Sequence, residues 1–366
     1  MGAMKTFSPT SEAAVERARC DWDFRVSAVV SSNPVAGTAS DALGVLEFDP
    51  SNDFLATGGI SRKIRVYNVN TLLPARDGSQ EDGAGLPDYY ICTPAKLSSL
   101  RWKPGSNSRV IGSGDYDGVV TEYDLERRVP VFERDEHGGR RVWSVDYSYS
   151  NPVIGASGSD DGTMQTWDTR CQNGKCLAAV QPSKARSAVC CVQFDPSSPT
   201  VAAGCADRKT YAYDVRKTGD PIFVLDGHLK AVTYVRFLSD RTVLTSSVDG
   251  CIIKWDTGDC TPVRTYKGHV NSTRFVGLSV WNSGGLISCG SEDNRVFVYD
   301  TRWGEPIWVY GCEPTGRPGE ENGFVSSVCW MQGGDDGQCT LVAGGSDGVL
   351  RVFAGKRPKA GGLMQY

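Results

Sequence analysis

The chain has 366 residues, with 39 Lys plus Arg against 43 Asp plus Glu, three His and 13 Cys. Its formal net charge of −4 supplies no global field that gathers phosphate backbones or anionic membranes, which disfavours nucleic-acid and membrane-surface binding. No apolar run approaches the roughly 18 residues of a spanning helix and the start of the chain lacks the apolar core of a signal peptide, so a soluble, non-secreted protein is expected.

From the N-terminus, residues 1–19 read as a flexible lead-in, with residues 1–3, ahead of Met4, as an added leader. Trp22 to Val30 alternates polar and apolar residues, as a strand does. A repeat follows: small residues, a tight turn, then a β-rich run ending in an aromatic, at Tyr67, Tyr123, Trp167, Tyr213, Trp255, Tyr299 and Phe353. The intervals of 56, 44, 46, 42, 44 and 54 residues cluster near the ~40–45 of a four-stranded propeller blade. Six positions before each aromatic stands Ser61, Asp117, Asp161, Asp207, Asp249, Asp293 or Asp347. A short Asp side chain there bonds the backbone of the turn, while the aromatic packs between blades.

Each copy has an upstream alternating run: Val45–Asp49, Leu97–Trp102, Val142–Tyr147, Cys190–Phe194, Val232–Phe237, Phe275–Leu278 and Val325–Trp330. The long intervals hold two insertions, around Pro74–Ala95 and Gly311–Asn322, whose Gly, Pro, Asp and Glu content marks surface loops. The stretch after Phe353 is too short and too rich in Gly, Lys and Pro for a fourth strand. The expected fold is therefore all-β, a seven-bladed WD-repeat β-propeller over residues 20–353, closed by the N-terminal strand completing the last blade, with 354–366 as a flexible tail. Deleting residues 20–30 is expected to lower the melting temperature sharply.

Chemistry-bearing residues are sparse. The cysteines form no CxxC pair; Cys171 and Cys176 lie five apart and Cys190 and Cys191 are adjacent, which favours reduced, buried thiols over a disulfide framework. His137, His228 and His269 are distant in sequence and lack zinc-ligand spacing, so no metal and no cofactor are expected. His228, Thr245, Asp249 and Trp255 read as the hydrogen-bonded set of one blade and His137, Ser157, Asp161 and Trp167 as that of another, leaving the histidines to the scaffold. An enzyme is the competing class, because some propellers carry His and acidic residues around the channel. With no His-Glu-x-x-His or phosphate-binding loop, and with Gly112-Ser113-Gly114 and similar runs read as strand-to-turn glycines of the repeat, no catalytic residue is assigned.

The stretches Gly44–Asp49, Gly58–Tyr67, Arg141-Val142-Trp143-Ser144-Val145-Asp146 and Gly268–Leu278 resemble the WD-repeat propeller of the plant constitutive-photomorphogenesis E3 ubiquitin ligase and its suppressor-of-phytochrome partners. The resemblance runs in order through most of residues 41–310. There is no room before the first blade for a RING finger, since only Cys20 and no His precede it. The chain is thus most similar to the propeller-only repressors of UV-B photomorphogenesis. That resemblance implies a non-catalytic negative regulator, present in nucleus and cytoplasm, that binds the UV-B photoreceptor through a Val-Pro peptide and its core. It further implies that the protein promotes photoreceptor re-dimerisation to the inactive state and competes with the E3 ligase.

Residues just before the inner strands and in the turns after the second strands should share one face around the channel: Lys96, Tyr116, Arg141, Trp143, Arg208, Lys230 and Phe275. Three aromatics and four cations suit an extended peptide with an apolar anchor between carboxylates. In the family this surface holds Val-Pro peptides, and six of these residues fall on matching positions; Arg208 stands where the ligase has a histidine. By sequence alone the alternative for Trp143, Tyr116 and Phe275 is a place in the core, and for the cations simple solvation, against which their convergence on one face weighs. A second motif, aromatic-Asp-x-Arg, occurs at Trp167–Arg170, Tyr213–Arg216 and Tyr299–Arg302. It resembles the box that docks substrate receptors on the adaptor of cullin-RING ligases, with Asp168, Arg170, Arg216 and Arg302 as its charges; the alternative is local pairing in a hairpin. On that reading the protein is a ligase substrate receptor for a photomorphogenesis transcription factor. Lys356–Lys359 reads as either an import signal or a solvated tail.

Overall fold

Period-two alternation with Gly and Asp at the turns folds each repeat into an antiparallel four-stranded sheet, and seven such sheets form the ring. The computed structural model describes residues 18–31, 41–73, 85–171, 177–313, 323–333 and 337–358. The inner strands, in blade order, are Leu43–Phe48, Leu97–Trp102, Val142–Tyr147, Val189–Phe194, Val232–Ser239, Leu278–Trp281 and Val325–Trp330. Helix is confined, among the described residues, to one turn, Val69–Leu72.

The ring closes with the first strand. Asp23–Ser31 pairs antiparallel with Val349–Lys356, so the sheet of blade 7 takes its outermost strand from the start of the chain and its other three from the end. Trp22 seals the seam, packed edge-on against Trp281 of blade 6 at 5.3 Å, and Phe24 sits 5.0 Å from Trp308.

The seven repeat aromatics are all buried between blades, each contributing roughly 1.5–3 kcal/mol of burial. Four of the preceding acids cap their turns: Asp161, Asp207, Asp249 and Asp347 accept an amide hydrogen bond from the residue two places on, at 2.7, 3.2, 3.0 and 3.0 Å. In blade 2 the cap is Asp115 instead, which accepts from Val119 at 2.8 Å, leaving Asp117 exposed. His228 bridges Asp249 (3.0 Å) and Thr245 (2.7 Å), and Trp255 donates to the same hydroxyl (2.7 Å). His137 bridges Asp161 and Ser157, both at 2.7 Å, but the buried Trp167 indole N–H finds no acceptor, so this second set is one bond short. His269 meets Tyr299 at 3.0 Å, and its burial drives its pKa down to about 4.

The inner strands are tied across blades around the channel. Residues at the same register position of the inner strands accept the free-edge amide of the next blade: Asp146 from Phe194 (2.7 Å), Gln193 from Phe237 (2.9 Å) and Ser279 from Trp330 (3.0 Å). Arg101, at the same level, bridges Glu47 and Asp146 of its two neighbours. Side chains thereby satisfy strand edges that no fifth strand covers.

Several boundaries differ from the sequence reading. Part of the expected insertion at Pro74–Ala95 is the strand Tyr89–Cys92, fourth of blade 1, while 74–84 fall outside the described residues. Residues 314–322 of the second insertion also lie outside them, and Gly311 ends a strand. The last strand runs to Lys356, three residues past Phe353, because the N-terminal strand pairs with it throughout. Arg357 is then tied down by Asp21 (3.5 Å) and lies over Trp22 (5.8 Å), against a freely solvated tail there. Finally, the inner strand of blade 6 begins at Leu278, not Phe275: Gly277 turns the chain with φ 75 and puts Phe275 in an approach loop.

Candidate functional site

One end of the ring is marked by a hydrogen bond repeated in all seven blades: the carbonyl just before the inner strand accepts from an amide just past the second strand. The acceptor–donor pairs are Ala42–Ile60, Lys96–Tyr116, Arg141–Asp160, Ala188–Ala206, Ala231–Val248, Val276–Gly290 and Phe324–Ser346. Lys96, Tyr116 and Arg141 occupy these positions themselves, Lys230 and Phe275 precede them by one residue, and Arg208 follows by two. These six of the seven sequence-selected residues therefore sit at this channel mouth.

Trp143 reaches the mouth by a backbone device. Six inner strands carry a β-bulge at the same step, with Gly44, Ser98, Trp143, Cys190, Thr233 and Ser326 as the extra residue. A bulge re-aims its side chain off the regular pleat. Five of the six residues are small; only Trp143 uses the displaced direction to project a large ring. It is half-buried and absent from the hydrophobic core clusters.

From there the aromatics and one guanidinium form a ladder across the channel. Arg141 Cζ lies 4.0 Å from the Tyr116 ring and 4.5 Å from that of Trp143. Trp143, from blade 3, stacks on Phe275, from blade 6, with centroids 4.4 Å apart and planes within 6°. Phe275 then meets Tyr234 of blade 5 edge-on at 5.9 Å. The Trp143 indole N–H donates to exposed Asp160 at 2.6 Å, which fixes the ring's rotation. Beneath runs the central channel, about 660 Å³, with residues of every inner strand in its wall. The ladder gathers four aromatic rings and a guanidinium into one apolar, positively flanked wall of the channel, chemistry suited to a proline or aliphatic side chain.

The remaining cations do not join the ladder. Lys96, Arg208 and Lys230 are exposed on the rim, Lys230 Nζ reaching the Ser272 carbonyl at 3.4 Å. Arg208 holds a left-handed backbone, φ 78, at a turn position filled elsewhere by Gly118, Gly162, Gly250 and Gly348, by Asn294 and by Arg62. A non-Gly residue there costs on the order of 1 kcal/mol. Tyr234, Asp160, Arg274 and Phe324 are site residues that sequence reasoning missed. Tyr234 reads as part of an ordinary alternating strand, and the stacking of Arg274 on Phe324 (4.2 Å) joins residues 50 positions apart.

The aromatic-Asp-x-Arg boxes lie at the other end. Val142 opposes Ser159 at the mouth, whereas Asp168 opposes Ile154 at the far end of the same sheet. In each box the Arg folds back onto its own Asp: Arg170 on Asp168 (2.5 Å), Arg216 on Asp214 (2.6 Å) and Arg302 on Asp300 (2.7 Å). These bonds depress both Asp168 and Asp214, the latter to about 2. Arg170 and Arg216 side chains remain 70% and 74% exposed, while Arg302 also faces Asp21 at 3.6 Å. The local-pairing geometry thus holds in all three.

Family models match in two places: the "Nucleolar protein 10-like, N-terminal domain" over residues 148–301 and the "WD domain, G-beta repeat" over 37–68. WD repeat-containing protein RUP2 of Arabidopsis thaliana is 62% identical over 329 residues, 87% of this chain and 89% of that protein. WD repeat-containing protein RUP1 of the same plant is 57% identical over 353 residues, 96% of this chain and 89% of the relative. The chain belongs to the RUP family of WD-repeat propellers. It stands among the plant photomorphogenesis regulators: the Arabidopsis E3 ubiquitin-protein ligase COP1 is 35% identical over 320 residues, 86% of this RUP-family chain but 45% of the ligase. The ligase similarity therefore spans less than half of that protein, and the names of the two RUP relatives specify no enzyme.

Proposed function

We propose that this RUP-family propeller is a non-catalytic repressor of UV-B photomorphogenesis that grips a Val-Pro peptide of the UV-B photoreceptor at the channel mouth. The observation that carries the reading is Trp143, set on a bulge, stacked on Phe275 and flanked by Arg141. Proline arrives pre-extended, loses little entropy on stacking, and leaves the neighbouring carboxylates to Lys96, Arg208 and Lys230. A second contact on the photoreceptor core, tethered by the gripped tail, gains effective concentration and promotes return to the inactive homodimer. The E3 ligase, carrying a related propeller, competes for the same tail. Calorimetry with a Val-Pro peptide tests the grip: Trp143→Ala should weaken binding at least about thirtyfold while melting stays unchanged, and wild-type-like affinity sinks the reading. Pull-down of purified photoreceptor before and after UV-B tests the partner, and imaging of the tagged protein tests its expected presence in nucleus and cytoplasm.

A second reading rests on the opposite end. Arg170 and Arg216 are exposed there, so the same propeller can dock on a ligase adaptor and act as a substrate receptor while its mouth holds a target. Co-precipitation of the adaptor that is lost on Arg170→Ala supports this role; no co-precipitation leaves the boxes as surface pairs worth about 0–1 kcal/mol each.

A further inference from the structure

The loop that presents Phe275 is held by a single carboxylate. Glu292 Oε1 accepts from three successive amides, Ser272 at 3.0 Å, Thr273 at 2.8 Å and Arg274 at 2.8 Å. The Ser272 hydroxyl donates to Oε2 at 2.6 Å and the Thr273 hydroxyl to Oε1 at 3.3 Å. Successive amides turned onto one point make an anion-binding nest, here filled by the protein's own side chain. Burial works to raise the Glu292 carboxyl, but these bonds outweigh it and hold it at about 2. The next residue is Phe275, so the clamp fixes the ring opposite Trp143. Ser272 and Thr273 are both exposed, and two exposed cations flank the loop: Lys230, at the Ser272 carbonyl, and Arg274, resting on Phe324.

We propose that Ser272 is a phosphorylation site that releases the Phe275 loop from Glu292 and so switches off the channel mouth. The proposal rests on reading that mouth as a peptide site. A protein kinase transfers the terminal phosphoryl group of a nucleoside triphosphate to Ser272 Oγ: the new P–O bond forms as the bond to the leaving nucleoside diphosphate breaks, and the hydroxyl proton passes to the kinase's base. The product has lost a donor to Glu292 and gained about −1.5 to −2 charge beside that carboxylate. Two anions cannot share one nest. The phosphate turns to the guanidinium of Arg274 and the ammonium of Lys230, the exposed cations flanking the loop, which bind it by charge-assisted hydrogen bonds. Arg274 then moves and carries Phe275 away from Trp143, while Lys230 is neutralised as a partner for acidic peptide flanks. Ser272 is preferred to Thr273 because its hydroxyl makes the shorter bond and its carbonyl already borders Lys230.

The test installs phosphoserine at position 272 of the full chain and reads two quantities. Hydrogen exchange of the 272–274 amides, measured without ligand, should lose at least about tenfold in protection, and affinity for a Val-Pro peptide with acidic flanks should fall at least about tenfold. Glu292→Gln should loosen the same amides without any phosphate, whereas Ser272→Ala, which deletes one bond and keeps the nest, should lose clearly less in both readouts than the phosphorylated chain. Wild-type protection in the phosphorylated chain overturns the switch even if affinity falls, because the phosphate would then only repel the peptide. Lost protection with unchanged affinity overturns it too. If the unmodified chain binds no Val-Pro peptide, the site reading fails, and the exchange data alone judge release of the loop.

Discussion

Trp143 shows how one residue's role is set by backbone rather than by type. On a regular strand its ring would point into a blade interface; on the bulge it leaves the pleat and meets Phe275 across the channel. Truncating such an anchor typically costs about 2 kcal/mol or more, roughly thirtyfold in affinity. Trp143→Ala should show that loss in calorimetry with an unchanged melting curve, since the side chain supports no core cluster. Arg208 makes the opposite trade. Its left-handed φ of 78 is strained for Arg and natural for Gly. Arg208→Gly should therefore melt at or slightly above wild type, and bind acidic-flanked peptides more weakly with a shallower salt dependence. A drop in melting temperature would mean that Arg208 is held by contacts stronger than its strain.

At the scale of elements, closure depends on the strand Asp23–Ser31. It brings Trp22, Phe24 and Val30 onto two core clusters and covers the edge of Val349–Lys356. Removing residues 20–30 discards several kcal/mol of burial and exposes a strand edge, so melting should fall by about 10 °C or more, with aggregation on heating. Blade 6 carries a pH response. His269 has its folded pKa at about 4, below the ordinary 6.5, because burial penalises the charged ring. The unfolded chain thus binds its proton more readily: the stabilisation is complete above about pH 6.5 and is lost as pH falls toward 4. Melting curves between pH 7 and 4.5 should show this acid slope, and His269→Gln should flatten it while starting from lower stability at pH 7.

At the scale of the molecule, the ring separates two surfaces through one rigid body. The ladder spans blades 2, 3, 5 and 6 at the mouth, and the aromatic-Asp-x-Arg turns of blades 3, 4 and 6 lie at the other end. Inter-blade bonds from Asp146, Gln193, Ser279 and Arg101 hold the inner strands in register, so sites at the two ends should act independently. Trp143→Ala and Arg170→Ala, combined, should give additive losses in peptide binding and adaptor association; a non-additive result would reveal coupling through the ring.

The repeat, the seven blades and the N-terminal closing strand were all legible in the sequence, because period-two alternation, the turn acids and the spaced aromatics are local signals that each blade must satisfy for itself. The choice of mouth residues was legible for the same reason: position within a repeat implies position on the ring. Local pattern did not decide which of those residues touch. Trp143 and Phe275 are 132 positions apart in the chain, and only ring closure sets blade 3 opposite blade 6. Nor did it reveal the Glu292 clamp, since Glu in a turn after Ser291 carries no signal until the Ser272–Arg274 amides are folded onto it. The blades follow from short-range chemistry, and the site follows from long-range closure, which the tertiary structure alone supplies.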